Sequence, residues 1–182
     1  MKGNLSIRSM KHIVLVVFSL LFLSAHKIDP KDDTKAKIKA VYLYNFSKYI
    51  DWPEDYKSGS FVVTVLGANS SLLTELDKMA SLKKLGNQEI SVKSISSAGA
   101  LEKSHIIFIP FENSGQLNEV ISKIKGNSTL IVTEKQGLTK QGAAINFIVK
   151  DNKQAFELNK ANAEHYKLKV SSNLVKLATL IE

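Results

Sequence analysis

Apolar and polar positions alternate along this chain in two recurring periods, and the periods place the elements. From Thr34 to Ile50, the residues Ile38, Val41, Tyr42, Phe46, Tyr49 and Ile50 recur at three- and four-residue spacing, with Lys35, Lys37, Lys39 and Lys48 between them. That period predicts an amphipathic helix. Trp52-Pro53 ends it, because the residue before a proline is pushed out of the helical region. Ser60 to Leu66 is a β-branched run closing on Gly67, and so reads as a strand. Asn69 then caps a helix reaching about Ala80, with Leu72, Leu73, Leu76 and Met79 as its buried stripe.

The pattern continues with a strand over Glu89 to Ile95 and a helical turn near Ala98 to Lys103. His105 to Ile109 is continuously apolar and closes at Pro110, which suits a strand covered on both faces. Gln116 to Ile124 reads as a helix through Leu117, Val120, Ile121 and Ile124, ended by Gly126. Thr129 to Val132 is another buried strand. Ala143 to Val149 and Ala155 to Leu158 flank Lys150-Asp151-Asn152-Lys153 and read as a hairpin. Two closing helices follow, Asn159 to about Tyr166 and Ser171 to Ile181, the second packing through Leu174, Val175, Leu177, Ala178 and Ile181.

Strands alternating with helices imply a largely parallel sheet. The expected fold is therefore a three-layer α/β domain: a mostly parallel sheet, an antiparallel edge hairpin and helices on both faces. It runs as a single domain over residues 34–182. His26 to Asp33 reads as a short flexible lead.

Residues 1–25 have a different character. Lys2, Arg8 and Lys11 precede the apolar run Ile13 to Leu23, and Ser24-Ala25 follows it. As a helix that run spans about 16 Å, against a bilayer core of roughly 30 Å. A basic head, a short apolar body and small exit residues match a secretory signal cleaved near Ala25. The alternative is an uncleaved anchor. Lipoprotein anchoring is excluded, since the chain has no cysteine. The expected location is the periplasm.

Composition narrows the chemistry. No cysteine means no disulfide, thiol nucleophile, Cys-zinc site or iron–sulfur cluster. Loss of the leader takes the formal charge from +8 to +5 and removes Arg8, the sole arginine. Bidentate reading of guanine or phosphate is mostly arginine work, so nucleic acid is not an expected partner.

Catalytic motifs are missing. Gly67-Ala68-Asn69 has one glycine where a dinucleotide fold needs three. His26, His105 and His165 share no metal-ligand spacing, and there is no HExxH. Ser171-Ser172 precedes an apolar helix and reads as a cap, not a nucleophile, and no G-x-S-x-G elbow exists. The acidic pairs Asp32-Asp33, Asp51 with Glu54-Asp55, and Glu75 with Asp77 fall in solvated places. No catalytic residue, metal or cofactor is expected. One cluster stands apart: Tyr42, Tyr44, Phe46, Tyr49 and Trp52 bring together five of fourteen aromatics. A single helical stripe cannot bury them all, since Tyr42 and Tyr44 lie about 200° apart. Core packing with one exposed tyrosine and a partner-contacting face both fit.

Three blocks carry a family resemblance. They are Ala40 to Pro53 (AVYLYNFSKYIDWP), the strand His105 to Ile109, and Gly142 to Phe147 continuing through Phe156-Glu157-Leu158-Asn159 to Leu168–Ala178 (LKVSSNLVKLA). In this order they resemble the YfiR-like periplasmic regulatory proteins. The resemblance implies a non-enzymatic exported regulator, a homodimer that restrains an inner-membrane diguanylate cyclase through its periplasmic region. An outer-membrane lipoprotein is implied as a second partner, and cyclic-di-GMP signalling as the downstream output. Some relatives serve sensor kinases, so the membrane signalling partner is a cyclase or a kinase. The alternative reading is a small-molecule-binding sensor module of a two-component or transport system. Relatives commonly carry Cys before the middle-strand His, where this chain has Ser104, so disulfide control does not transfer. For partner binding the expected residues are Tyr49, Trp52 and Pro53.

Overall fold

The computed structural model describes residues 30–181. The leader at 1–25 and the first part of the lead lie outside the described residues. Helix α1 (Pro30–Tyr49) starts inside the segment read as lead. A proline is tolerated there because the first-turn N–H has no intrahelical acceptor.

The remaining elements are β1 (Ile50–Asp51), β2 (Phe61–Leu66), α2 (Ser70–Leu82), β3 (Lys84–Leu85), β4 (Gln88–Ile95), β5 (Ile106–Ile109), α3 (Leu117–Lys123), β6 (Leu130–Thr133), β7 (Ile145–Lys150), β8 (Lys153–Leu158), α4 (Lys160–His165), β9 (Lys169–Val170), α5 (Ser172–Leu177) and β10 (Thr179–Leu180). Eight strands form one sheet in the order β10-β8-β7-β6-β5-β2-β4-β3. Pairing is parallel from β7 through β6, β5 and β2 to β4, and parallel again between β10 and β8. Within this sheet only β7–β8 and β3–β4 are antiparallel among the described residues. The α/β architecture with a mostly parallel sheet is as the sequence implies.

Central β5 and β6 are buried at every position, which requires cover on both faces. Alternation along β2 sorts the cover. Phe61 and Val63 share a small space with Leu43 of α1 and Leu76 of α2. Thr64, facing the other way, lies by Ala100 and Glu102 of the β4–β5 connection. The caps read at Asn69 and Ser171 accept from Leu72 and Leu174 N–H, and Asn159, read as the start of a helix, is its cap, accepting from Asn162 N–H.

Four expectations need correction. The buried stripe of α1 is Ala36, Ala40, Leu43, Phe46 and Ser47, whereas Ile38 and Val41 are 39% and 48% exposed. Alanines at 36 and 40 let the helix lie close to the sheet, and that turns Ile38 and Val41 outward. The helix also stops one residue early, because Ile50-Asp51 pairs antiparallel with Lys169-Val170. The β7–β8 hairpin turns at Asp151 and Asn152, both with positive φ, as a type I′ turn requires. It is not the sheet edge, since β10 lies outside β8. Finally, the last helix is a single short one. Ala178 is extended, and Thr179-Leu180 joins the sheet where a helix to Ile181 was expected. The outward edge of β8 has free backbone groups, and pairing there satisfies more of them than another helical turn would.

Candidate partner-binding surface

The end of α1 is tied to the third sequence block. Beyond the β1–β9 ladder, Ser171 N–H donates to the Tyr49 carbonyl at 2.9 Å. Pro53, extended at φ −56° and ψ 159°, opens a 3₁₀ turn over Glu54–Tyr56. Tyr49 and Pro53 are half-buried, but Trp52 is 5% exposed. Its ring meets Phe61 edge-on at 5.0 Å and lies 5.9 Å from His105, while Phe61 stacks on His105 at 4.2 Å. Trp52 is thus a core residue that braces the corner, and Tyr49 and Pro53 are what the corner shows to solvent. Trp52 Nε1 has no hydrogen-bond partner, the one such buried side-chain atom among the described residues.

His105 is held, not free. Its Nδ1 accepts from Val62 N–H at 3.0 Å, and Nε2 bonds the Tyr56 carbonyl at 2.8 Å. Those two bonds require the neutral imidazole with the proton on Nε2. Burial pushes its pKa below the ordinary 6.5, against the Tyr56 carbonyl, which raises it, and with Lys103, which lowers it further. Neither nitrogen is available for proton transfer. Beside it, the Thr64 and Ser104 hydroxyls share a 2.7 Å bond, and Ser104 donates to the Glu102 carbonyl. Among the described residues no group of three or more His, Asp or Glu side chains is placed to hold a metal. No described helix is long and apolar enough to cross a membrane.

A wider open groove lies elsewhere, between the amino-terminal half of α1 and the β7–β8 hairpin. A groove of ≈ 800 Å³ there is lined by Ile38, Lys39, Phe147, Val149, Lys153 and Gln154, among others. Val149 is 74% exposed. Beneath it, Tyr42 and Phe46 pack against Phe147 and Phe156 with ring centroids 5.0 to 5.8 Å apart. A Lys39–Glu134 ion pair closes one side. A buried chain runs below, Thr133 Oγ1 donating to Asn146 Oδ1 at 2.8 Å and Asn146 Nδ2 to Glu157 at 3.2 Å. The sequence reading assigned Ile38, Val41 and Val149 to the core or the hairpin and so missed this surface. The signal available was the small pair Ala36 and Ala40, four residues apart, marking the true buried stripe.

Comparison with known proteins gives a family and a fold. A family model described as YfiR/HmsC-like matches residues 36–179. No curated protein matches significantly. A solved conserved domain protein from Vibrio cholerae O1 biovar El Tor is similar with TM-score 0.55 and 10% identity, covering 79% of this chain and 60% of that one. The ABC domain in complex with L-Trp from Streptococcus pneumoniae is similar with TM-score 0.54 and 8% identity, covering 81% and 60%. This chain thus spans about three-fifths of either solved chain, and at such identities the likeness is one of fold.

Proposed function

Because the chain belongs to the YfiR/HmsC-like family, we propose that it is an exported, non-enzymatic regulator acting on a membrane signalling protein from the periplasmic side. The family match across residues 36–179 carries the reading. Both ring nitrogens of His105 are engaged by backbone groups, which supports a structural role for that residue. The partner is the periplasmic region of a diguanylate cyclase or sensor kinase, the protein is a homodimer, and an outer-membrane lipoprotein competes for it. Export removes residues 1–25. Tyr49 and Pro53 contact the partner, with Trp52 behind them as the brace.

The test is a titration of the purified protein against the periplasmic region of the membrane cyclase encoded nearest to its gene, with cyclic-di-GMP measured on overexpression. Saturable binding and a fall in cyclic-di-GMP are expected. No binding to that cyclase or to a neighbouring kinase would overturn the proposal. Mass spectrometry of envelope protein should give a mature start between Ser24 and Asp29; a full-length form in the membrane pellet would overturn the export step.

A further inference from the structure

A cavity of ≈ 280 Å³ sits between the end of α3 and the end of α4. Its walls are Ile121 and Ser122 of α3, Lys125 to Asn127 after it, and His165 to Lys167 closing α4. Ile121 and Tyr166 form an apolar side, and Tyr166 is fixed there because its hydroxyl donates to the Gly142 carbonyl at 2.9 Å. Lys125, His165 and Lys167 supply three basic groups, and no carboxylate lines the cavity. Lys125 and Lys167 have no ion-pair partner among the described residues. The nearby acids are committed elsewhere: Glu164 pairs with Lys160, and Glu119 lies against Gly99.

Helix C-termini attract cations, so a lysine at either end alone would be unremarked. The conformation of Lys167 is not explained that way. The end of α4 is a Schellman turn, with Lys167 N–H donating to the Glu164 carbonyl and Leu168 N–H to the Ala163 carbonyl. The residue at its hinge is left-handed, φ +60°, a position that favours glycine. Here it is a lysine lining a cavity. A left-handed non-glycine residue beside a pocket directs attention to its side chain, and here that side chain is a cation.

We propose that this cavity binds a small phosphomonoester, its dianion held by Lys125, Lys167, the His165 imidazole N–H and the Asn127 side-chain amide, and its organic part against Ile121 and Tyr166. Two ammonium groups match a doubly charged phosphate, and lysine serves as a point-charge phosphate ligand. The volume, at the small end for ligand pockets, suits a molecule of about a dozen heavy atoms. The site is separate from the partner-binding reading and does not depend on it.

The test is calorimetric titration of the purified protein with phenyl phosphate, using benzyl alcohol as the neutral control and sodium chloride to match ionic strength. Saturable binding of phenyl phosphate alone is expected, with amide shifts confined to residues 121–127 and 165–167. Lys167→Gly carries the decisive outcome, because it relieves the left-handed lysine while removing the charge. It should raise the melting temperature and weaken phenyl phosphate binding at least tenfold. Lys125→Gln should weaken binding with the melt unchanged. Undiminished affinity in either variant would overturn the proposal. So would phenyl phosphate binding no better than benzyl alcohol, or binding only to phosphatidylglycerol vesicles, which would assign the lysines to a lipid surface.

Discussion

The Tyr42 hydroxyl donates to the Gln154 carbonyl at 3.0 Å, joining α1 to the β7–β8 hairpin across 112 residues of chain. Ile181 N–H reaches the Leu158 carbonyl on the outer edge of β8, and strand alternation puts the Gln154 carbonyl on that same edge. β10 covers β8 only at Glu157 and Leu158, so Tyr42 satisfies a group that would otherwise invite another strand. Tyr42→Phe should therefore cost about 1 kcal/mol by urea denaturation and increase concentration-dependent aggregation. An unchanged midpoint would show that water serves the carbonyl equally well.

Trp52 separates shape from hydrogen bonding. It is buried against Phe61 and His105, yet its Nε1 has no partner. Trp52→Ala should cost about 3–5 kcal/mol through the cavity it opens. Trp52→Phe keeps an aromatic ring and removes the unsatisfied donor, so it should cost less than about 1.5 kcal/mol. Chemical denaturation of both variants checks the ordering. Equal losses would mean that the indole nitrogen is bonded in solution.

The parts of this fold legible in the sequence are those decided by local chemistry. Asn69 and Ser171 cap helices because a short polar side chain reaches an N–H three residues on. The apolar runs at Ile106–Ile109 and Leu130–Thr133 declare strands covered on both sides. Tertiary pairing decided the rest. Ile50-Asp51 and Thr179-Leu180 are two-residue strands whose partners lie 120 and 22 residues away in register, and no local pattern announces a ladder that short. The candidate surface failed for a related reason. Ile38 and Val41 fit a helical stripe as well as Ala36 and Ala40 do, and only the close approach of α1 to the sheet selects the alanines. In sequence Trp52 is open to both readings, since an aromatic crowd reads alike as core or interface until neighbours are placed, and its neighbours bury it.

His105 should give stability an acid limit. Its folded pKa is depressed below 6.5, mainly by burial, while the unfolded chain titrates near that ordinary value. Between the two, the unfolded state binds more protons, so stability rises with pH across the window. The stabilisation is present above 6.5 and is lost as pH falls through it toward the folded value. Unfolding free energies from pH 5 to 8 for the protein and for His105→Gln give the contribution by difference. A difference that does not vary with pH would show that the folded and unfolded chains protonate His105 alike, so that burial does not depress its pKa.

Reductant should have no effect on the isolated protein. The chain has no cysteine, and the Ser104 hydroxyl is occupied by Thr64 and the Glu102 carbonyl. For a regulator of the proposed kind, control would have to come from differential affinity of a ligand or partner for one state. Thermal melts with and without dithiothreitol should superimpose, whereas a bound partner raises the melting temperature by mass action. A reductant-dependent partner titration alongside unchanged melts would put the redox element in the partner.

Gly142 joins two consequences at one position. Its φ of +114° lies where side chains are strained, and a Cβ built there would sit 2.6 Å from Ile121 Cδ1 and 3.5 Å from the Tyr166 hydroxyl. The carbonyl of the same residue receives the Tyr166 hydroxyl. Gly142→Ala must therefore accept the backbone strain, about 1–3 kcal/mol, and also displace Ile121, the residue that walls the basic cavity. Trimming Ile121 removes the clash but not the strain. Ile121→Val keeps Cγ1 and Cγ2 and deletes Cδ1, so in the background of Gly142→Ala it should recover part of the lost stability, although alone it costs about 0.5–1.5 kcal/mol. A double-mutant cycle by urea denaturation measures that coupling. Strictly additive losses would show that Ile121 already turns aside at no cost, leaving the left-handed backbone as the whole reason for glycine at 142.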